Sequence, residues 1–527
     1  MLSNKMNSKQ CLIIALLILA VVRLFGLGLY PLMDSTEARY AEIGRKMLEM
    51  NDWITPWFDY GVPFWGKPPL SFWMTALSFK LFGVNEFAAR LPHYLCGLLV
   101  LLLVWAWAKR WSTTLALYTL VVLSGSLLFF ISAGLVMTDM WLLLGTTLAM
   151  LGFWQSLPGS EQQRIPWRWL FFVGLVVGLL SKGPIAIVLS AIPIGLWMVA
   201  TSNYRVVWAA LPWFRGSLLV LLFTLPWFLL AEQKTPGFLD YFLIGEHFHR
   251  FVTAGWEGDL YGSAHDFPRG TIWGFMLVDL LPWSIIFPLI FFKSRRIKSS
   301  DDRSSLPTQL RLYLLLWGLT SAVFFTAAGN ILWPYVLPAF PAISVLLAAW
   351  LADRQGITGT AKDRLLLIGL AITGSVMLIS LVSLSLTGQQ DKKSAKKLVA
   401  TYQQYKSPGM PLIYYSKRPF SAAFYSSGEA MQVSDSVELK QFLKNQEAII
   451  AVRNKSAEAL QDNEFFNLKL LATIANYQLF LARSVTLNDP AKLPDYAINT
   501  TGSHHVETEA IADIVATVHL HPIASGG

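Results

Sequence analysis

Runs of residues long and apolar enough to cross a bilayer recur along the chain, at roughly 11–30, 90–108, 112–133, 139–157, 168–181, 184–200, 216–232, 271–292, 310–328, 333–351 and 364–387. In hydrocarbon every backbone polar group must be satisfied within the segment, so such a chain becomes a helical bundle. The expectation is an α-helical integral membrane protein of roughly eleven to thirteen transmembrane helices. Composition agrees: 54% of the 527 residues are hydrophobic, 13% aromatic and only 14% charged, and the mean hydropathy is +0.47. Residues 1–30 begin with Lys5 and Lys9 and continue with an apolar run longer than a signal-peptide core, without a small-residue cleavage site, so they read as a retained first span. Cys11 and Cys96 both lie within apolar runs and give no disulfide framework.

The net charge of +9 speaks for topology. Threaded from an inside N-terminus, the spans leave Lys109, Arg110, Arg164, Arg168, Arg205, Arg215, the run from Lys293, Arg354, Lys362 and Arg364 on one face, as the positive-inside rule asks. No nucleic-acid partner is implied. The opposite, outer face receives 31–89, 134–138, 182–183, 233–270 and 329–332, and everything after 388. Nearly all the unusual polar residues gather there: Asp34, Glu37, Arg39, Lys67, Asp139, Lys182, Glu246, His247, Arg250, His265 and Asn330. Intramembrane charges are costly, and their gathering on one rim reads as a site.

The first outer loop, 31–89, reads as folded. Asp34 and Glu37 stand three apart, as an N-cap and its N3 partner do. Tyr40, Ile43, Met47 and Met50 then line one face of a helix, with Glu42, Arg45, Lys46 and Glu49 on the other, the pattern of an amphipathic helix lying on a membrane. A second helix is expected from "PPLSFWMTALSFKLFG", started by proline and stopped by Gly83, with Lys67 in the connection. After 388 the chain turns polar, and short strand-like runs alternate with helical ones. The chain thus divides into a polytopic region 1–387, a small α/β extracytoplasmic domain 388–499, and a tail 500–527. The tail holds His504, His505, His519 and His521, at a spacing that matches no metal-ligand pattern.

The stretch "DSTEARYAEIGRKMLEMNDWITPWFDYGVPFWGKPPLSFWMTALSFKLFGVNEFAARLP" resembles the first extracytoplasmic loop of the ArnT-like and protein O-mannosyltransferase superfamily. These are membrane glycosyltransferases of the C-type fold that use polyprenyl-phosphate sugars. "MTDMWLL", "LLSKGPIAIVL", "FLIGEHFHRF" and "GNILWPYVLPAFPAI" continue the resemblance in family order over most of 10–390. It implies an inverting enzyme of the bacterial inner membrane with its C-terminal domain periplasmic. A sugar, such as 4-amino-4-deoxy-L-arabinose, would pass from undecaprenyl phosphate to lipid A or another outer-face acceptor; another polyprenyl-phosphate sugar such as mannose, moved to protein or polysaccharide, is the alternative. Two departures stand out. Thr36 replaces the first member of the family's Asp-Glu pair, and Gly66 replaces the glutamate that many lipid A arabinosyltransferases carry before the loop lysine.

A polyprenyl-phosphate donor leaves as a phosphate monoester, so its site needs cations more than an acid. Lys67, Lys182 and Arg250 are the candidates, with membrane anchoring as the plain alternative for each lysine. Asp34 and Glu37 are the candidate catalytic carboxylates, either taking a proton from a hydroxyl acceptor or orienting the sugar. Arg39, Asp139, Glu246, His247 and Tyr335 complete the expected substrate-binding set; Asp139 also suits a helix cap, Glu246 and Arg250 a surface pair four residues apart, and Tyr335 an interfacial aromatic belt. No cofactor is implied with certainty; a divalent metal is compatible, with His265 beside Asp266 as a thin ligand set. No phosphate-cradling glycine loop is present, which disfavours a soluble nucleotide sugar. The competing class is a multispan transporter, whose charges belong near the midplane in broken helices; a structural scaffold is third.

Overall fold

A computed structural model describes residues 7–158, 165–262, 265–294, 306–355, 357–444, 446–463 and 465–484. Helices occupy all eleven expected runs. Among the described residues, six helical segments are long and apolar enough to cross a membrane: Ser8–Gly26, Glu86–Ala108, Trp213–Lys234, Thr308–Thr326, Trp333–Asp353 and Gly359–Leu386. Two expected spans are broken. The first divides into Thr113–Gly125 and Leu127–Ser132 at extended Ser126; the second into Thr271–Asp279 and Trp283–Phe292, which meet at 86°. Outward-facing leucines, isoleucines and phenylalanines on the long helices make the molecule a polytopic membrane protein.

Two helices in the bundle centre fix the geometry of the rim that carries Asp139 and Lys182. Asp139–Ser156 and Ile165–Lys182 run antiparallel, with glycines at the contact. A Cβ on Gly145 would meet the backbone of Gly178 at 2.6 Å and of Gly174 at 2.7 Å, and one on Gly152 would meet Phe171 N at 2.6 Å. Only glycine allows this approach, the small-residue packing common between membrane helices. It brings the first residue of one helix, Asp139, beside the last residue of the other, Lys182.

Beyond Leu386 the chain forms a mixed five-stranded sheet. With β1 (Trp57–Asp59) and β2 (Val62–Pro63) forming a hairpin in the first loop, its strands are β3 (Leu412–Tyr415), β4 (Met431–Val433), β5 (Ala448–Arg453), β6 (Phe466–Ile474) and β7 (Tyr477–Ser484), in the order β4-β3-β5-β7-β6. The pairs β3–β4 and β3–β5 are parallel; β5–β7 and β6–β7 are antiparallel. Residues 485–499, the histidine tail, Arg164 and Arg295 onward in the basic run lie outside the described residues.

This α/β unit sits on the first loop, and that corrects one expectation. Most of the polar side of helix Thr36–Glu49 does not face solvent: Glu42, Arg45 and Lys46 are 0%, 5% and 1% exposed, while Glu49 at its end is exposed. Arg45 grips Glu42 at 2.6 Å and Glu49 at 3.0 Å, while Lys46 donates to Phe58 O at 2.9 Å and pairs with Asp59 at 3.3 Å. Asp59 in turn takes Arg418 of the α/β unit at 2.5 Å. Met50, expected on the apolar face, is 40% exposed. The second loop helix, Leu70–Phe82, begins after Pro68 and Pro69 and ends at Gly83 (φ +77°), as expected.

Candidate active site

Glu246 is the hub of a buried charge cluster. It lies on a π-helical segment, Tyr241–His249, a rare geometry that often marks functional positions. Its carboxylate accepts from Lys67 Nζ at 3.2 Å and from Arg250 Nη1 at 3.0 Å, and Arg250 also faces Asp259 at 3.5 Å. Burial pushes the Glu246 carboxyl up, but Lys67 and Arg250 outweigh it and hold the group below its ordinary value. The same carboxylate overcomes burial at Arg250 and strengthens its charge.

A second pair completes the cluster. Lys182 Nζ lies 2.5 Å from Asp139 Oδ1 and 4.6 Å from the centroid of the Tyr335 ring. The local sequence "SKGP" explains why Lys182 can stand there. Gly183 (φ +81°) ends the helix in a left-handed turn, and a Cβ on it would strike Phe242 Cζ at 2.5 Å and crowd His247 Cε1 at 3.2 Å. Pro184 then precedes the next helix, Ile185–Thr201. His247 packs over this turn, with Nδ1 2.7 Å from Phe242 O and Nε2 3.1 Å from Lys182 O. Burial holds its ring below the ordinary histidine pKa. His247 thus lies between Glu246's helix and the Lys182 turn.

Lys67, Asp139, Lys182, Glu246, His247, Arg250 and Tyr335 therefore converge, drawn from the segments expected on one face and the residues beside them. Arg39 lies at the margin, donating to Tyr261 O at 2.5 Å with its guanidinium 5.7 Å from the Phe420 ring. Asn330 straps the Arg250 loop by donating to Arg250 O and Thr253 O, both at 2.7 Å.

Asp34 and Glu37, expected as catalytic carboxylates, are not brought into contact with these cations. Ser421 of the α/β unit donates to Asp34 through its backbone N at 3.0 Å and through its hydroxyl. Burial raises the Asp34 carboxyl despite these bonds. Glu37 accepts from Arg90 Nε at 2.8 Å and Nη2 at 2.9 Å. The expected capping box is absent too: Ser35 is the N-cap and no side chain caps the helix. His265 makes no ligand group, and among the described residues no three histidines, cysteines or carboxylates converge to hold a metal. At the cluster the carboxylates are instead committed to lysine and arginine. A Cβ on Gly66 would lie 3.4 Å from Glu246 Oε1 and 2.9 Å from Phe64 Cζ, so a glutamate there would press a second carboxylate toward Glu246.

Sequence reasoning missed four residues. Tyr40, counted as apolar, feels the charges of Arg39, Asp139, Glu246 and Lys182. Tyr261 donates to Pro63 O at 2.8 Å and accepts from Trp65 N at 3.0 Å, tying the 256–262 loop to the first loop. Asp259 reaches Arg250 from that loop, and Arg90 holds Glu37. The tyrosine and aspartate of "GDLYG" were the only local signal.

The chain is similar to known membrane glycosyltransferases. The family described as Dolichyl-phosphate-mannose-protein mannosyltransferase matches residues 11–242. An undecaprenyl phosphate-alpha-4-amino-4-deoxy-L-arabinose arabinosyl transferase of Yersinia pestis (strain Pestoides F) is 30% identical over 332 residues, 61% of this chain and 56% of its own length. Its counterpart in Erwinia tasmaniensis is 29% identical over 333 residues, 62% of this chain and 57% of its own length. The chain thus spans little more than half the length of these relatives. The crystal structure of ArnT from Cupriavidus metallidurans bound to undecaprenyl phosphate shares the fold, with a TM-score of 0.74 at 20% identity over 91% of this chain and 99% of that one. By sequence the chain is thus similar to membrane glycosyltransferases named for polyprenyl-phosphate sugar donors, and by fold it shares the architecture of ArnT.

Proposed function

We propose that the protein transfers a sugar from undecaprenyl phosphate to an acceptor at the outer face of the inner membrane, with its N-terminus cytoplasmic and the α/β unit periplasmic. The observation that carries this reading is the convergence of Lys67, Lys182 and Arg250 around Glu246, Asp139 and Tyr335 on one rim of the bundle. A transporter would gather such charges near the midplane.

The cluster is balanced before substrate arrives. Lys67, Arg250 and Lys182 offset Glu246, Asp259 and Asp139. A donor phosphate entering between Lys67 and Arg250 competes with Glu246 for both, and its charge-assisted bonds stabilise the leaving phosphate as the glycosidic bond breaks. Displaced from its cations, Glu246 is then free to take the proton of a hydroxyl acceptor. A phosphate acceptor, already anionic, needs no base. Asp139, held by Lys182, is suited to orient the sugar. Asp34 and Glu37 position the first-loop helix, and so Arg39 and Tyr40, rather than meeting substrate.

The relatives' names favour 4-amino-4-deoxy-L-arabinose as the sugar and lipid A as the acceptor. Gly66 favours a second reading, another polyprenyl-phosphate sugar moved to protein or polysaccharide, because it lacks the carboxylate that would meet a sugar amine. Membranes carrying the protein, supplied with labelled polyprenyl-phosphate sugars, separate the two: label is expected in lipid A under the first reading, and in protein or polysaccharide under the second. Failure to move label from any such donor, where a related transferase succeeds, overturns the proposal.

A further inference from the structure

The first span carries a cation that transfer does not use. Arg23 lies in the last turn of Ser8–Gly26 and is only 5% exposed. An arginine near a helix end ordinarily extends its charge to the water interface. This one turns inward: Nη2 donates to Ile131 O at 3.0 Å, the guanidinium sits 5.4 Å from the Phe130 ring centroid, and Nε is buried with no partner. Among the described residues Arg23 joins no ion pair.

Arg23 is the one charged residue lining a cavity of about 410 Å³ between the first span and helix Glu86–Ala108, walled mainly by Leu16, Ala20, Leu98, Leu101 and Phe129. Leu17 and Leu102 in the same wall are 61% and 56% exposed, so the cavity opens sideways from the bundle, toward bilayer. No residue of the charge cluster lines it.

We propose that this groove binds an anionic phospholipid of the surrounding bilayer, with one acyl chain in the cavity and the phosphate on Arg23. A buried cation without a counter-charge is costly in a low-dielectric setting, and a phosphate supplies that counter-charge. The leucine walls take the chain, and the lateral opening admits a molecule diffusing in the membrane. The site also has a route to the cluster. Arg23 holds Ile131, Gly134 leaves room for its guanidinium, and Tyr30 donates to Gly134 O at 3.1 Å, all on the turn that leads to Asp139.

This inference is independent of the transferase reading and is tested without activity. The delipidated full-length protein in detergent is titrated with phosphatidylglycerol, phosphatidylethanolamine or undecaprenyl phosphate, and bound lipid is counted by native mass spectrometry. Wild type should retain phosphatidylglycerol over phosphatidylethanolamine by roughly fivefold, the worth of one arginine toward an anionic headgroup. Arg23→Gln should lose that preference. Leu98→Trp, which fills the groove and leaves Arg23 in place, should lose the bound lipid itself. Equal retention of the two phospholipids by wild type, an unchanged preference in Arg23→Gln, retention by Leu98→Trp, or one-for-one displacement of phosphatidylglycerol by undecaprenyl phosphate would each overturn the proposal.

Discussion

Two groups of buried charges lie at the same end of the bundle, and they are built differently. In the clasp that joins the first loop to the neighbouring spans and to the α/β unit, each charge has fixed partners. Arg90 donates to Glu37 and to the carbonyls of Leu27, Tyr30 and Pro31, and is fully buried. In the cluster, Lys67 and Arg250 share one carboxylate, and their side chains keep 17% and 16% exposure. A saturated cation holds structure; one that shares its counter-ion can exchange it for a ligand. The two groups should therefore answer substitution in opposite ways.

The largest expected effect is in the clasp. Arg90→Met leaves Glu37 buried and unpaired, and should lower stability in detergent by about 3–5 kcal/mol, read as the fall in thermal unfolding temperature. An unfolding temperature close to wild type would place Arg90 among dispensable surface charges. Lys67→Ala should do the reverse, reducing transfer by roughly 10²–10³-fold while leaving the unfolding temperature nearly unchanged. Transfer near wild type would return Lys67 to anchoring.

The next test concerns Asp34. Asp34→Asn keeps an acceptor for Ser421 and removes the charge; a cost of about 1 kcal/mol in stability is expected, with transfer per folded molecule retained. A hundredfold loss of transfer with the fold intact would move Asp34 into the site. The smallest effect is at Arg418→Gln, an outer ion pair worth up to about 1 kcal/mol. It carries a pH signature. Burial raises the Asp59 carboxyl, but Arg418 more than offsets this and holds it below the ordinary 3.8. The pair's contribution is thus complete above that value and is lost as pH falls through the lower folded one. Acid unfolding below about pH 4 should be less steep in the variant, and identical acid limbs would remove Arg418 from the clasp.

The contrast between clasp and cluster was only half legible in the sequence. The spans were, because an apolar run of bilayer length has few alternatives, and so was Lys67, a lysine among prolines and aromatics. The partners of the acids were not. Asp34 and Glu37 have the spacing of a cap, yet their partners are Ser421, 387 residues away, and Arg90, 53 residues away. Glu42 and Lys46 looked solvent-facing because helical periodicity reports two faces and cannot say what covers the second. Tyr40 was concealed by its ring, which packs on Phe64 and Phe72 like any apolar side chain.

That the cluster and not the clasp receives the donor phosphate is tested most directly by undecaprenyl phosphate affinity, measured side by side for wild type, Lys67→Ala and Asp34→Asn and normalised to folded protein. At least about tenfold weaker binding is expected for Lys67→Ala, the loss of one charge-assisted contact, with Asp34→Asn equal to wild type. Weakened binding in Asp34→Asn beside unchanged binding in Lys67→Ala would contradict a phosphate site at the cluster.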